Sequence, residues 1–304
     1  MLHAPYSDFW QVGLSLHPQT NWLDHPNEVR ADAQIHWMPD PGPWRYRADP
    51  FGLNHQGKVH VFVECYDYRT KHGIIEHVAW SPDAGWGVAQ EALVKPYHLS
   101  YPQVFRHQGE IWMLPESHQA GEVALYRARN FPNDWVREKA LLSGLPVAEA
   151  SLLQQNDHWW MFFTLVGPQA RDQRELHIAM APTLWGPWQL HPANPIRVDK
   201  TSARPGGSPF INNRGFVSLP VQDCSQTYGG GLRFLEFQKL SLQEVACTVI
   251  GPTWRGADVS SLFTEGLHTL SGTEDWSLID CKRISRSRER QWLDLQRRWR
   301  RLFP

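Results

Sequence analysis

The sequence predicts an all-β fold, a five-bladed β-propeller, followed by a basic amphipathic helix at the C-terminus, and three observations predict it. One phrase recurs at intervals of about 50 to 60 residues, the spacing of propeller blades: a polar residue, a short strand, a Gly/Asn/Asp turn and an aromatic-rich return strand. The 304 residues include 16 Trp, 22 Gly and 23 Pro, a composition suited to short strands, tight turns and stacked rings. Only the last twenty or so residues carry a clear helical period.

In chain order, Trp10 to Leu16 reads as a leftover N-terminal strand, placed to close the ring by completing the last blade. The first copy runs Ala48-Asp49-Pro50-Phe51-Gly52-Leu53, turns at Gly57 and returns from Val59 to Glu64. Pro50 biases Asp49 away from the helical region, so its carboxylate stands at a strand entrance. The second copy is Ser100-Tyr101-Pro102-Gln103-Val104-Phe105, a turn at Gly109, then Ile111 to Glu116. The third is Glu149-Ala150-Ser151-Leu152-Leu153, a turn at Asn156-Asp157, then Trp159 to Thr164. The fourth is Ala203-Arg204-Pro205-Gly206-Gly207-Ser208-Pro209-Phe210-Ile211, a turn ending at Gly215, then Phe216 to Leu219. The fifth and weakest is Leu267 to Ser271 followed by Trp276 to Asp280. Further hairpin pairs between copies supply the outer strands. The propeller is expected over 1–284 and the helix over 285–304. In that helix Trp292, Leu295, Trp299 and Leu302 share one face while Arg290, Arg297, Arg298, Arg300 and Arg301 crowd the others. Such a helix either lies on an anionic membrane or packs on the propeller with its arginines in water.

Net charge is −1, which excludes a global basic field for nucleic acid. Residues 282–304 nevertheless hold nine Lys or Arg against Glu289 and Asp294, leaving an acidic body and a basic tail. Met1 to Asp8 has neither a basic nor an apolar leader region, and no stretch approaches the ~18 apolar residues of a spanning helix, so a cytoplasmic protein peripheral to the membrane is expected. Cys65, Cys224, Cys247 and Cys281 lack zinc or disulfide spacing. No metal and no cofactor is expected.

In a propeller the innermost strands start beside the central channel, so equivalent positions of all copies converge on one pocket. Those positions are Asp49, Tyr101 with Gln103, Glu149, Arg204 and His268. Glu64 and Glu116 end the second strands of the first two copies and are placed to approach the same rim, as are Gln222 and Asp223 of the fourth. One entrance carboxylate is more often a turn residue than a catalyst, but several converging with an Arg and a His need a reason, because like charges raise each other's pKa. His268 either meets a sugar hydroxyl, ligates an axial metal or, as the plainer reading, is a hydrogen-bonded channel residue. Trp44, Tyr46, Tyr66, Tyr101 and Trp112 are candidate stacking platforms for pyranose rings, although most Trp must be blade core. Gly229-Gly230-Gly231 is read as a turn, since no helix follows it.

Ala48-Asp49-Pro50 before a Gly-turn hairpin resembles the first-blade signature of the five-bladed carbohydrate enzymes of glycoside hydrolase families 43, 32 and 130. That resemblance implies Asp49 as general base and Glu149 in the place of the middle-blade carboxylate. A closer one covers Trp44 to about Lys282. Ala48-Asp49-Pro50-Phe51, His98-Leu99-Ser100-Tyr101-Pro102, Pro115-Glu116-Ser117, Ala203-Arg204-Pro205-Gly206, Gln222-Asp223-Cys224-Ser225 with Tyr228-Gly229, and Gly266-Leu267-His268-Thr269 resemble the N-terminal propeller domain of plant glucosamine inositolphosphorylceramide transferases and similar bacterial polysaccharide-cluster proteins.

The departure from the hydrolase pattern is Arg204, standing where a hydrolase of this group offers its acid Glu. Hydrolysis needs an acid beside a poor leaving group, whereas transfer from a nucleotide or phospho-sugar expels a phosphate that an Arg stabilises. The leading expectation is therefore an inverting glycosyltransferase of surface glycan or glycolipid assembly, with Asp49 or Glu149 as base, Arg204 on the leaving phosphate, and an activated sugar donor and a glycan or glycolipid acceptor as partners. The alternatives are a hydrolase or phosphorylase with Glu116 or Glu149 as acid, and a non-catalytic glycan-binding propeller. Arg204 also has a structural alternative, pairing with Glu149 or Asp223.

Overall fold

The computed structural model describes residues 7–31, 34–167, 174–287 and 289–302. The expected start Met1 to Tyr6 and the side chains of Arg297, Arg298, Arg300, Arg301 and Leu302 lie outside the described residues. Five antiparallel sheets form the five blades of an all-β propeller. Blade 1 is built on Arg45–His55, Lys58–Asp67 and His72–Ser81, and blade 2 on Ser100–His107, Glu110–Glu116, Glu122–Asn130 and Asp134–Ser143. Val147–Gln155, His158–Leu165 and Glu175–Ala181 make the body of blade 3. In blade 4 the inner strand is broken into Arg204–Pro205 and Phe210–Ile211, both pairing with Val217–Gln222, before Leu232–Leu240 and Val245–Trp254. Blade 5 is closed by the N-terminus: Ser7–Ser15 pairs with Ser277–Ser285, from Ser7 opposite Ser285 to Ser15 opposite Ser277, with Gly266–Gly272 on the inner side. Two short helices after that strand, Asn21–Asp24 and Pro26–Ala31, have no counterpart in the sequence reading. They are too short to show a period, and the burial of Trp22 and Val29 against blades 4 and 5 holds them.

Among the described residues the hydrophobic core forms five separate clusters, each spanning two neighbouring blades. Phe51, Phe62 and Ile75 of blade 1 meet Leu99, Met113 and Tyr126 of blade 2. Val59, Val61 and Val78 on the other face of blade 1 meet Val12, Leu14 and Leu278 of blade 5. Both faces of a blade are therefore dry, which is why its strands read as nearly continuous apolar and aromatic runs.

The ladders also share one irregularity that positions the site. In blades 1, 2, 3 and 5 the inner strand shifts register against its partner between Ala48 and Phe51, Ser100 and Gln103, Ala148 and Ser151, and Leu267 and Leu270. Three of these bulges hold a non-glycine residue in the left-handed region, Asp49 at φ 51°, Tyr101 at 46° and Glu149 at 53°. Such conformations cost about 1–3 kcal/mol each and persist only where the surroundings impose them. In blade 4 Gly207, φ 133°, approaches blade 5 so closely that a Cβ there would lie 1.8 Å from the Leu270 carbonyl oxygen. Arg204 thus precedes the break in its strand and does not sit within it.

Candidate active site

The bulges at Asp49 and Glu149 turn their carboxylates into a cavity of about 820 Å³. Asp49, Glu64, Glu116, Glu149 and Arg204 all line it, together with the rings of Tyr46, Tyr66 and Tyr228. The size fits a disaccharide or a nucleotide sugar.

Asp49 is buried, and its backbone N–H donates to Asp280 Oδ2 at 2.8 Å, which fixes the bulge. Its Oδ1 accepts from Thr269 Oγ1 at 3.1 Å and lies 3.3 Å from His268 Nε2. The other ring nitrogen, Nδ1, is 2.7 Å from Asp280 Oδ1, so the imidazole bridges two carboxylates. Trp10 stacks on the ring with centroids 3.8 Å apart. That stack needs Gly229, at φ 58°, whose Cβ would meet the Trp10 ring at 2.6 Å. Burial pushes the Asp49 carboxyl up to about 7, with the His268 charge pulling the other way and Asp280 adding to the rise. Burial also works against a charged His268, but Asp280 and Asp49 outweigh it and hold its pKa above the usual value. Asp49, His268 and Asp280 bring donor atoms within 4.8 Å of one another, the grouping among the described residues that suits a cation. Both imidazole nitrogens already face carboxylates, however, so a proton satisfies the arrangement by itself.

Glu149 occupies the corresponding bulge of blade 3 in different company. Arg204 Nε lies 2.8 Å from its Oε2, while Gln222 Nε2 at 2.9 Å and the Tyr228 hydroxyl at 3.3 Å donate to Oε1. The Arg204 guanidinium sits 4.9 Å from the Tyr228 ring centre. Burial raises the Glu149 pKa, opposed chiefly by Arg204. The Glu149 backbone N–H donates to Glu116 Oε2 at 3.0 Å, so Glu116 does for blade 3 what Asp280 does for blade 1. Burial would raise Glu116 too, but the His118 hydrogen bond at 2.8 Å and the Arg204 charge outweigh it and leave its pKa low. Glu64, 3.4 Å from His98, stays well above the usual carboxylate range through burial and the neighbouring Asp49 charge.

Several expected residues do not reach the cavity wall. Tyr101 is fully buried, its hydroxyl 2.9 Å from Ser151 Oγ and 3.1 Å from the Gly207 carbonyl, where it ties blades 2, 3 and 4 together. Gln103 donates to the Leu152 carbonyl at 3.0 Å and accepts from the Leu152 N–H at 2.6 Å, an inter-blade clamp. Gln222 lies behind Glu149 and also donates to the Pro205 carbonyl at 2.8 Å. His268 lies behind Asp49. Asp223 faces away and caps its own turn, accepting from Ser225 Oγ at 2.6 Å. Trp44, at φ 66°, lines a neighbouring cleft, and Trp112 is core between blades 2 and 3. Asp280 and Tyr228 were not among the expected site residues. Asp280 ends the second strand of its copy as Glu64 and Glu116 do, and that alignment was the available signal. Arg286 and Arg290 join the wall from the C-terminal segment, which no repeat could indicate.

The architecture defines the chain as a five-bladed propeller, and solved propellers match it at 12% identity, which speaks to fold alone. A family 117 glycoside hydrolase from Zobellia galactanivorans aligns over 90% of both chains with a TM-score of 0.55. The GH62 α-L-arabinofuranosidase catalytic domain of Coprinopsis cinerea aligns over 80% of this chain and 93% of its own with a TM-score of 0.58. The family is closer at hand: residues 30–251 match the model described as glucosamine inositolphosphorylceramide transferase 1, N-terminal, and the chain belongs to that family. Glucosamine inositolphosphorylceramide transferase 1 of rice (Oryza sativa subsp. indica) is 39% identical over 209 residues and that of Arabidopsis thaliana 34%. Those matches take in 66% of this chain but only 27% of the plant proteins. The family match stops short of His268, Asp280 and the C-terminal helix.

Proposed function

We propose that this chain is a carbohydrate-active enzyme that transfers a glycosyl group from a phosphate-activated donor to a glycan or glycolipid acceptor in surface glycan or glycolipid assembly at the cytoplasmic side of a membrane. The observation that carries the reading is Asp49, a buried carboxyl with its pKa at about 7, lining the same cavity as Arg204, Arg286 and Arg290. A base poised near neutrality accepts the acceptor hydroxyl proton as the new bond to the anomeric carbon forms. The bond from that carbon to the donor phosphate breaks, and the phosphate leaves with the electron pair beside cations that stabilise it. Glu149, engaged by Arg204, holds that guanidinium in place. The relatives' name, transferase, agrees with this direction.

A second reading is hydrolysis, and Glu64 favours it. Burial and the Asp49 charge raise the Glu64 pKa well above the usual carboxylate range, the direction that suits an acid for a glycosidic leaving group, with Asp49 as base. Glu116, held low, is less suited to that role. Incubation of the purified chain with nucleotide sugars and, separately, with aryl glycosides and oligosaccharides separates the two. Release of nucleotide that needs an acceptor and disappears in Asp49→Asn supports transfer. Glycoside cleavage without donor consumption overturns it, and glycan binding without turnover of either substrate assigns a binding propeller.

A further inference from the structure

The C-terminal helix, Glu289–Leu302, is docked on the propeller by its polar edge. Arg290 donates from Nη1 to Ser7 Oγ at 3.0 Å, and its guanidinium lies 4.8 Å from the Tyr68 ring centre. Asp294, one turn further, faces Lys71 at 4.0 Å. At ~100° per residue, these two positions lie about 150° around the helix from the stripe Trp292, Leu295 and Trp299. The stripe is correspondingly open, with Trp292 68%, Leu295 51% and Trp299 68% exposed. A helix that serves a core turns its apolar face inward; this one turns it out.

Charge selects what covers that stripe. Besides the docked Arg290, the helix carries Arg297, Arg298, Arg300 and Arg301 against Glu289 and Asp294. A second copy meeting this stripe with its own helix would set like charge against like, which is repulsive. An anionic bilayer meets both needs, taking indole rings at the headgroup boundary and cations against lipid phosphates. The docked edge of the same helix also walls the cavity through Arg290, with Arg286 just before it. The surface and the pocket mouth are therefore neighbours.

We propose that the C-terminal helix docks this chain on an anionic lipid bilayer through Trp292, Leu295 and Trp299, and that docking sets the mouth of the Asp49 cavity at the membrane surface. The docking stands on helix geometry and charge, independent of which reaction the cavity performs.

The test uses the whole chain with vesicles of phosphatidylcholine alone or of phosphatidylcholine with phosphatidylserine, followed by co-sedimentation and tryptophan quenching by brominated lipid. Binding is expected to the phosphatidylserine vesicles, to weaken as salt rises, and to fall roughly ten-fold or more in the double variant Trp292→Glu, Trp299→Glu. Both rings are more than half exposed, and a Tm of the variant within a few degrees of wild type separates a loss of binding from a loss of fold. Hydrogen exchange should slow on vesicle binding along the helix and at the adjacent rim around Lys71. Failure of the wild type to bind phosphatidylserine vesicles overturns the proposal, as does undiminished binding by the double variant or protection confined to the far blades. Light scattering that shows a wild-type dimer abolished by the double variant assigns the stripe to a second copy and overturns it too. A vesicle-binding chain that turns over no activated sugar leaves the docking standing and removes only the transferase reading.

Discussion

Asp49 and Glu149 hold the same place in blades 1 and 3, each in an inner-strand bulge with φ of 51° and 53°, yet their surroundings differ in kind. Asp49 faces an imidazole bridged to a second carboxylate, an arrangement in which one proton can be shared. Glu149 faces a guanidinium, an amide and a phenol, an arrangement that fixes a charge. The repeat thus supplies position, and the neighbours on the adjoining strands supply chemistry. Even the bulge amides show this division, since Asp280 accepts from Asp49 and Glu116 accepts from Glu149.

The comparison is broken most severely at Asp49. Asp49→Asn keeps the shape and an oxygen for Thr269 but removes the basic site, so kcat with the cognate substrate should fall about 10²–10⁴-fold with Tm within a few degrees of wild type. Glu149→Gln should act the other way. It leaves Arg204 buried against a neutral amide, and denaturant unfolding should show a loss of about 3–5 kcal/mol. Adding Arg204→Met should recover part of that loss, because the uncompensated charge goes with it. Gln103→Leu removes only a clamp and should cost about 1–3 kcal/mol of stability while the folded fraction keeps wild-type kcat. The smallest effect sharpens the comparison. Activity that needs ionised Asp49 falls as pH drops through its pKa of about 7. His268 lowers that pKa, so His268→Asn should move the acidic limb of the rate profile to higher pH.

Much of this was legible in the chain. The spacing of Asp49, Tyr101, Glu149, Arg204 and His268 points to five blades, and the strand from Trp10 is placed in the last of them. What could not be read was which way each bulge residue turns. Tyr101 and Asp49 precede a Pro in the same phrase, but Tyr101 is drawn into the shaft by Ser151 and Gly207, contacts made by distant blades. Pro205-Gly206-Gly207-Ser208-Pro209 marks the break in the inner strand of blade 4 but not where Arg204 turns, and the apolar face of the C-terminal helix left a membrane and the propeller as equal alternatives.

The claim at the centre of this account is that Asp49 holds a proton that ordinary carboxylates lose. Infrared difference titration of the wild type against Asp49→Asn reads that carboxyl directly and requires no knowledge of the substrate. The account predicts a protonated carboxyl band assigned to Asp49 that persists through pH 5 and titrates at about 7. A carboxyl that ionises with the bulk of the side chains near ~4 would contradict it.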